Sequence, residues 1–328
     1  MGKKLQNAAA AETSTGIEVG NRKSNVKYTP MGIQYNQSIG DKIFMIVNIT
    51  VFVIFTLMCI FPFYYIFINT ISDNDLVNRG VITLIPRGIH FGNYIALKNV
   101  SDFGSSVLIT ISRTILGTVL MVLASGFAGY LTTKRRMWHR SLWYRALVIT
   151  MYFNAGLVPW YLNMLGLGLT DNYWGYIIPG IVAPYNIILV KTYIESIPAE
   201  LEESATIDGA TNMQVFSKII LPLSRPILAT IAVFGAVGNW NSFQDSLILM
   251  ANSPQLYTLQ HRLYIYLNSS SNLALVMQSG GNGVTAAMLN TKVIQYTISI
   301  VTIIPIMLVY PFMQRYFEEG IMLGAVKG

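Results

Sequence analysis

Glu195, Glu200, Glu202, Glu203 and Asp208 place five carboxylates within fourteen positions of a 328-residue chain that holds only 15 acidic residues. They lie in SIPAELEESATIDGATNMQVFSKIILPLSRP, between two strongly apolar segments. The pattern predicts two short helices joined at a glycine. Ser196 and Pro198 suit a helix start, the early acids suit the positive end of a helix dipole, and Gly209 suits a left-handed terminal residue. Asn212 then opens a second helix, predicted to end before Pro222. Ser204 and Ala205 are small, so another surface can approach the first helix closely. This chemistry is docking rather than catalysis. His90, His139 and His261 fall in three separate connecting segments, with neither a His-Glu-x-x-His nor a Ser-His-Asp pattern. The lone Cys59 excludes a disulfide within the chain. Gly280, Gly281 and Gly283 are not followed by Lys-Ser or Lys-Thr, so they form no phosphate loop, and any nucleotide-driven work must come from a partner.

The segments that position this knob are apolar. Hydrophobic residues make up 53% of the chain and charged residues 11%, under half the roughly 25% typical of soluble domains, which points to lipid as the solvent. Runs long enough to cross a bilayer as helices lie at about 43–69, 105–131, 144–165, 173–194, 225–250 and 293–314. The first is too long for a signal-peptide core and lacks a following cleavage site. The expected class is therefore all-α integral membrane, with six transmembrane helices.

Net charge is +7, yet the placement of the bases argues against nucleic acid. Lys3, Lys4, Arg22, Lys23, Lys27 and Lys42 precede the first span, and Lys134, Arg135, Arg136 and Arg140 follow the second with no acid among them. Both segments are cytoplasmic by the positive-inside rule, which puts both termini and 195–224 inside. Residues 1–40 read as a mostly disordered cytoplasmic tail with room for a short interfacial helix at 34–42, and 41–328 as the membrane domain. The segment 251–290 is a long external stretch whose second half, from NSSSNLALVMQ onward, reads as loop.

Glu203, Ser204, Ala205, Gly209, Ile219, Leu221 and Pro222 resemble the EAA loop of permease subunits of bacterial ABC importers: Glu-Ala-Ala, three residues, Gly, nine residues, Ile-x-Leu-Pro. Only Ser204 departs, small for small. PRGIHFGNY at 86–94, GNWNSFQDSLIL at 238–249 and the terminal RYFEEGIMLGAVKG resemble the carbohydrate branch, including alginate-type permeases. The likeness covers about residues 40–328. It implies the type I importer permease fold in the bacterial cytoplasmic (inner) membrane. It also implies a second homologous permease, two cytoplasmic ATPase subunits, an extracytoplasmic solute-binding protein and a carbohydrate cargo. No cofactor is expected on this chain; ATP and Mg belong to the ATPase. Residues of the loop, with Asp208, would sit in a cleft of that ATPase. An ATPase-independent secondary transporter or channel is the competing class, and needs an ion relay through the spans.

Two ionisable groups interrupt the spans, Arg113 and Asp245. Such groups face a bundle interior or a water-filled path. Arg113 reads either as a snorkelling or ion-paired residue or as part of a ligand path. On a continuous fifth helix Asn241, Gln244 and Asp245 share one face, with Asn239 and Trp240 beside them. They read equally as a sugar-binding set or as hydrogen bonds between helices. Asn154 is a weaker path candidate. Pro159, Pro179, Pro184 and Pro305 are expected to bend spans.

Overall fold

The computed structural model describes residues 27–28, 34–35, 39–97, 102–278 and 292–311. Two compact units divide the chain, 1–61 and 62–328. In the first, β1 (Lys27–Tyr28) pairs antiparallel with β2 (Gln34–Tyr35), so the helix expected over 34–42 begins only at Ile39. Tyrosine favours such extended pairing. From there α1 (Ile39–Thr70) runs as one helix, in which the Thr50 and Thr56 hydroxyls donate to the Ile46 and Phe52 carbonyls four residues back. The rest of the tail, expected to be mostly disordered, lies outside the described residues.

The second unit opens with the end of α1, followed by α2 (Asn74–Asn78) and α3 (Gly92–Ala96). Asp73 caps α2 by accepting from the Asp75 and Leu76 amides at 3.0 and 3.2 Å. Ile68, Val77, Ile82 and Val293 bury together and fix this segment.

At the centre of the unit stands α4 (Phe103–Thr133). Its buried face, Ser106, Thr110, Arg113, Gly117, Met121, Ser125, Gly129 and Thr132, repeats every three or four residues. Most of these are small, which lets neighbouring backbones come close, as helices in lipid require for association. After α5 (Arg140–Tyr152), α6 (Leu157–Gly166) and two 3₁₀ turns (Tyr173–Tyr176 and Ile178–Gly180), α7 (Pro184–Ile194) packs on α4. Then come α8 (Glu200–Ile207), α9 (Asn212–Val215), a π turn (Phe216–Ile220) and α10 (Leu221–Leu223). The unit closes with α11 (Arg225–Asn241), also on α4, α12 (Gln244–Leu249), α13 (Leu259–Gln278) and α14 (Lys292–Pro311).

Among the described residues three helices, Ile39–Thr70, Phe103–Thr133 and Lys292–Pro311, are long and apolar enough to cross a membrane, and two bent pairs, each taken as one span, raise this to five. The bends are 40° between Tyr173–Gly180 and Pro184–Ile194, and 76° between Asn212–Leu223 and Arg225–Asn241. The run expected at 144–165 is not one helix: it parts between Tyr152 and Leu157, where the Asn154 side chain accepts from the Gly156 amide at 2.8 Å. That local bond offers the backbone an alternative to the helical ladder.

Two further expectations are corrected. The helix opened at Asn212 continues through Pro222 to Leu223, because Pro222 sits in the first turn after the π turn, where its missing N–H costs little. The NSSSNLALVMQ stretch, read as loop, lies within α13 up to Gln278, since its own helix formers Leu273, Ala274, Leu275 and Met277 outweigh the preference of the preceding Ser and Asn residues. Gly280, Gly281, Gly283 and the terminal motif lie outside the described residues.

Gly129 marks a close approach between α4 and α7. A Cβ there would stand 2.8 Å from Val190 Cγ1, 3.0 Å from Val190 Cβ and 3.2 Å from the Lys191 amide nitrogen. Gly129→Ala should therefore lower the detergent-solubilised unfolding free energy by about 1–3 kcal/mol through overpacking, and Val190→Ala in the same chain should recover part of it. Thermal unfolding monitored by size-exclusion fluorescence checks this; an unchanged melting temperature in Gly129→Ala would contradict the close approach.

Candidate functional site

The acidic loop folds much as its residue types require, with one shift. Ser196 does not cap α8; its hydroxyl donates back to the Tyr193 carbonyl at 2.6 Å, completing α7, and α8 starts at Glu200 without a side-chain cap. Glu200, Glu202 and Glu203 occupy its first turn, beside the positive end of the dipole. Asp208 closes the helix and Gly209 follows at φ +84°, in the left-handed region. Thr211 and Gln214 form a reciprocal capping box that starts α9, a Thr-x-x-Gln signal that the sequence itself carries.

This loop has two faces. Ala205 and Ile219 pack inward against a core of Tyr130, Val190, Ile194, Val215, Ile220, Ile227 and Ile231, and Leu221 lies near Gly126. Pro222 is half-buried. Outward stand Glu203, Ser204, Asp208 and Gly209, together with apolar Leu201, Ile207 (85% exposed) and Met213 (62% exposed). Exposed apolar side chains rimmed by carboxylates mark an interaction surface.

The bases after α4 meet the acids of this loop. Lys134 pairs with Glu202, Arg140 with Glu195 at 3.0 Å and Lys191 with Glu195 at 2.7 Å. A cavity of about 500 Å³ opens between them, lined by Arg135, Pro198 and Glu203 among others.

Toward the other end of α4, Arg113 is 2% exposed and forms a two-point ion pair with Asp245, at 2.5 Å (Nη2 to Oδ2) and 3.3 Å (Nη1 to Oδ1). The Ser242 hydroxyl and the Ser246 amide also donate to Asp245 Oδ1, both at 2.9 Å. The fifth run breaks between Asn241 and Gln244, where Ser242 turns extended and offers its carbonyl to Arg113 at 3.5 Å. The single polar face expected across Asn241, Gln244 and Asp245 therefore does not form. Asn241 instead accepts from Gln260 at 3.1 Å, Gln244 is exposed, and Trp240 donates to the Thr302 carbonyl at 3.0 Å. Asn239 lies against Gly117. Asn154 lines a hollow of about 530 Å³ with Phe153, Trp160 and Asn163.

A polar network missed in the sequence surrounds the ion pair. The Arg113 guanidinium lies 4.5 Å from the centre of the Tyr176 ring, whose hydroxyl donates to the Leu256 carbonyl at 2.7 Å and lies 2.9 Å from Ser246 Oγ. Ser246 Oγ is also 2.9 Å from His261 Nδ1. Burial, and then the neighbouring Arg262 charge, push the His261 imidazole down to about 4, so it is neutral at pH 7. Arg262 donates to Ser106 Oγ at 3.1 Å, the Pro254 carbonyl at 2.8 Å and Asp102 at 3.3 Å. Nothing in the spacing of these residues announced their meeting, since most of the links join positions far apart in the chain. Nearby, Asn252 donates twice to Asp171, through its amide and side chain at 3.0 Å each, and holds that carboxyl below its ordinary range.

The family model described as "Binding-protein-dependent transport system inner membrane component" matches residues 30–322. The polygalacturonan/rhamnogalacturonan transport system permease protein YtcP of Bacillus subtilis is 33% identical over 274 residues, 84% of this chain and 94% of that protein. The arabinooligosaccharides transport system permease protein AraQ of Halalkalibacterium halodurans is 29% identical over 286 residues, again 84% and 94%. A chain in the crystal structure of a bacterial ABC transporter involved in the import of the acidic polysaccharide alginate superposes with a TM-score of 0.75 at 33% identity, covering 87% of this chain and all of that one.

Asp245→Leu should destabilise the protein by about 3–5 kcal/mol, because it strands the buried Arg113 charge. The double variant Arg113→Met/Asp245→Leu should melt higher than the Asp245→Leu single; a double that melts no higher would show that the pair is not what the charge needs. For Asp171, a lowered native value means stability present above the ordinary carboxylate range and lost as pH falls through the native value. Asp171→Asn should therefore flatten the acid limb of a melting-temperature profile, and an unaltered limb would remove Asp171 from it.

Proposed function

Since the chain belongs to the family of binding-protein-dependent transport system inner membrane components, and to its carbohydrate ABC permeases, we propose that it forms half of the pore of an ATP-driven importer of oligosaccharides or polysaccharides. The observation that carries this reading is the outward face of α8. Glu203, Ser204, Asp208 and Gly209 stand exposed with Leu201 and Ile207, while Ala205 is packed onto the core beneath. A short, rigidly seated helix with an apolar and acidic surface suits the cleft of a cytoplasmic ATPase.

The arrangement proposed in the membrane has six spans and both termini in the cytoplasm. Residues 1–40 form a tail, 41–328 the permease domain, 195–224 the coupling loop and 251–290 the external segment. The third span is α5 followed by α6, and the fifth is α11 continued by α12. Partners are a second homologous permease, two ATPase subunits that use ATP and Mg, and an external binding protein. In the cycle, closure of the ATPases moves α8 and opens the pore outward. A loaded binding protein stimulates hydrolysis because it binds the outward-open state better than the inward-open one.

Relatives that carry arabino-oligosaccharides and polygalacturonan or rhamnogalacturonan support an oligomeric or polymeric cargo. The substrate path is proposed to run past Asn154 and Gln244, whose side chains leave room for a ligand. Asn239, Trp240, Asn241 and Asp245 serve contacts between helices, and Arg113 is neutralised by Asp245, so an acidic sugar finds no free cation there.

The test is mild-detergent purification of the tagged chain from its native membrane, with identification of what accompanies it. An ATPase and a second permease are expected. Gly209→Val, which places a β-branched residue at φ +84° at a local cost of about 1–2 kcal/mol, should leave insertion intact while releasing the ATPase and abolishing uptake. A folded chain that purifies alone would overturn the reading.

A further inference from the structure

The bases after α4 do more than orient the chain in the membrane. Phe127, Tyr130 and Lys134 lie along one side of the last turns of α4 and its end, three and four residues apart. The Phe216 ring packs on Tyr130 at 5.0 Å and on Phe127 at 5.7 Å. The Tyr130 hydroxyl donates to the Asn212 carbonyl at 3.2 Å, holding the start of α9. Lys134 sits 4.1 Å from the centre of the Tyr130 ring and pairs with Glu202, holding the first turn of α8. Both helices of the acidic loop are thus fastened to the same end of the same helix. Arg140 closes the arrangement, since its Nε donates to the Thr132 carbonyl at 2.6 Å and its Nη2 pairs with Glu195 beyond α7.

From this geometry we propose that Tyr130 and Lys134 are positioning residues that seat the coupling loop on α4, which makes α4 the helix that carries displacement of α8 toward the buried Arg113–Asp245 pair. The proposal rests on the importer reading above and names the residues that carry its coupling. α4 is suited to the task. It is one unbroken helix, it rises about 26 Å between Arg113 and Tyr130 at about 1.5 Å per residue, and it packs against both α7 and α11. The Lys134–Glu202 pair is only partly shielded, with side chains 26% and 28% exposed. Its role is therefore to fix the orientation of α8, with little weight in overall stability.

The experiment uses the whole transporter, purified with its partners and reconstituted in liposomes, and compares Lys134→Glu, Glu202→Lys and the double charge exchange. Each single variant should retain the ATPase and its basal hydrolysis while losing binding-protein-stimulated hydrolysis and uptake by at least about five-fold, the lower end of ordinary coupling between sites. The double exchange should restore both, and Lys134→Arg should behave as wild type. If the bases act only as topology signals, the double exchange gives no rescue, and that result overturns the proposal. Single variants that transport normally also overturn it. Should Lys134→Glu fail to insert, Tyr130→Phe provides the second test: it removes the bond to Asn212 while keeping the ring, and stimulation must fall while basal hydrolysis holds. Absence of any ATPase from the wild-type preparation would instead fault the importer reading, so the two failures are separable.

Discussion

A guanidinium cannot be left uncompensated in a helix bundle surrounded by lipid, and the placement of Arg113 constrains much of what surrounds it. Its charge is buried, so a carboxylate must come to it, and among the described residues Asp245 is the one that does. To deliver that carboxylate the fifth apolar run breaks after Asn241. The break aims the Ser242 carbonyl and hydroxyl and the Ser246 amide at the pair, and Asp245 collects four donors. Removing two ions from water is costly even when they are paired. The arrangement is thus understood as a fixed point that sets the register of α4 against α11 and α12, rather than as a source of stability.

The rest of α4 turns that fixed point into a frame. Its buried face is small, so α7 and α11 approach closely, and Gly129 against Val190 leaves no space even for a methyl group. Packing of this kind is specific in the absence of a strong hydrophobic drive between helices in lipid. At one end of the frame sits the network of Tyr176, Ser246, His261 and Arg262, every member hydrogen-bonded. At the other sits the acidic loop, apolar beneath and exposed above. One unbroken helix therefore joins the acidic loop to the buried ion pair, so a displacement of the loop has a continuous path into the bundle.

Polar residues within the spans divide into two groups on this frame. Asn239, Trp240 and Asn241 each contact a neighbouring helix, and a carbohydrate would have to displace those contacts to reach them. Asn154 sits at a helix break with a hollow beside it, and Gln244 is exposed at another break. Breaks of the apolar runs expose backbone groups and side chains that a continuous helix would hide, and they are tolerated where the backbone lines a cavity or is buried in protein. The substrate path is thus better sought at the breaks than along the continuous faces.

Composition and run length by themselves determined that the chain is helical and apolar enough for a membrane, because hydrophobic length is a local property. The residues from Glu203 to Pro222 determined much of the local fold of the acidic loop for the same reason: Gly209 ends a helix and the acids favour the first turn wherever that sequence occurs. The left-handed glycine and the start at Asn212 were legible; the start at Glu200 and the continuation through Pro222 were not, because the first follows the Ser196 bond back to Tyr193 and the second a π turn. Only the tertiary structure decided that Arg113 meets Asp245, that His261 is buried and neutral, and that Lys134 pairs with Glu202. Those partners lie on different helices, and nothing in a one-dimensional pattern fixes which faces meet when helices pack.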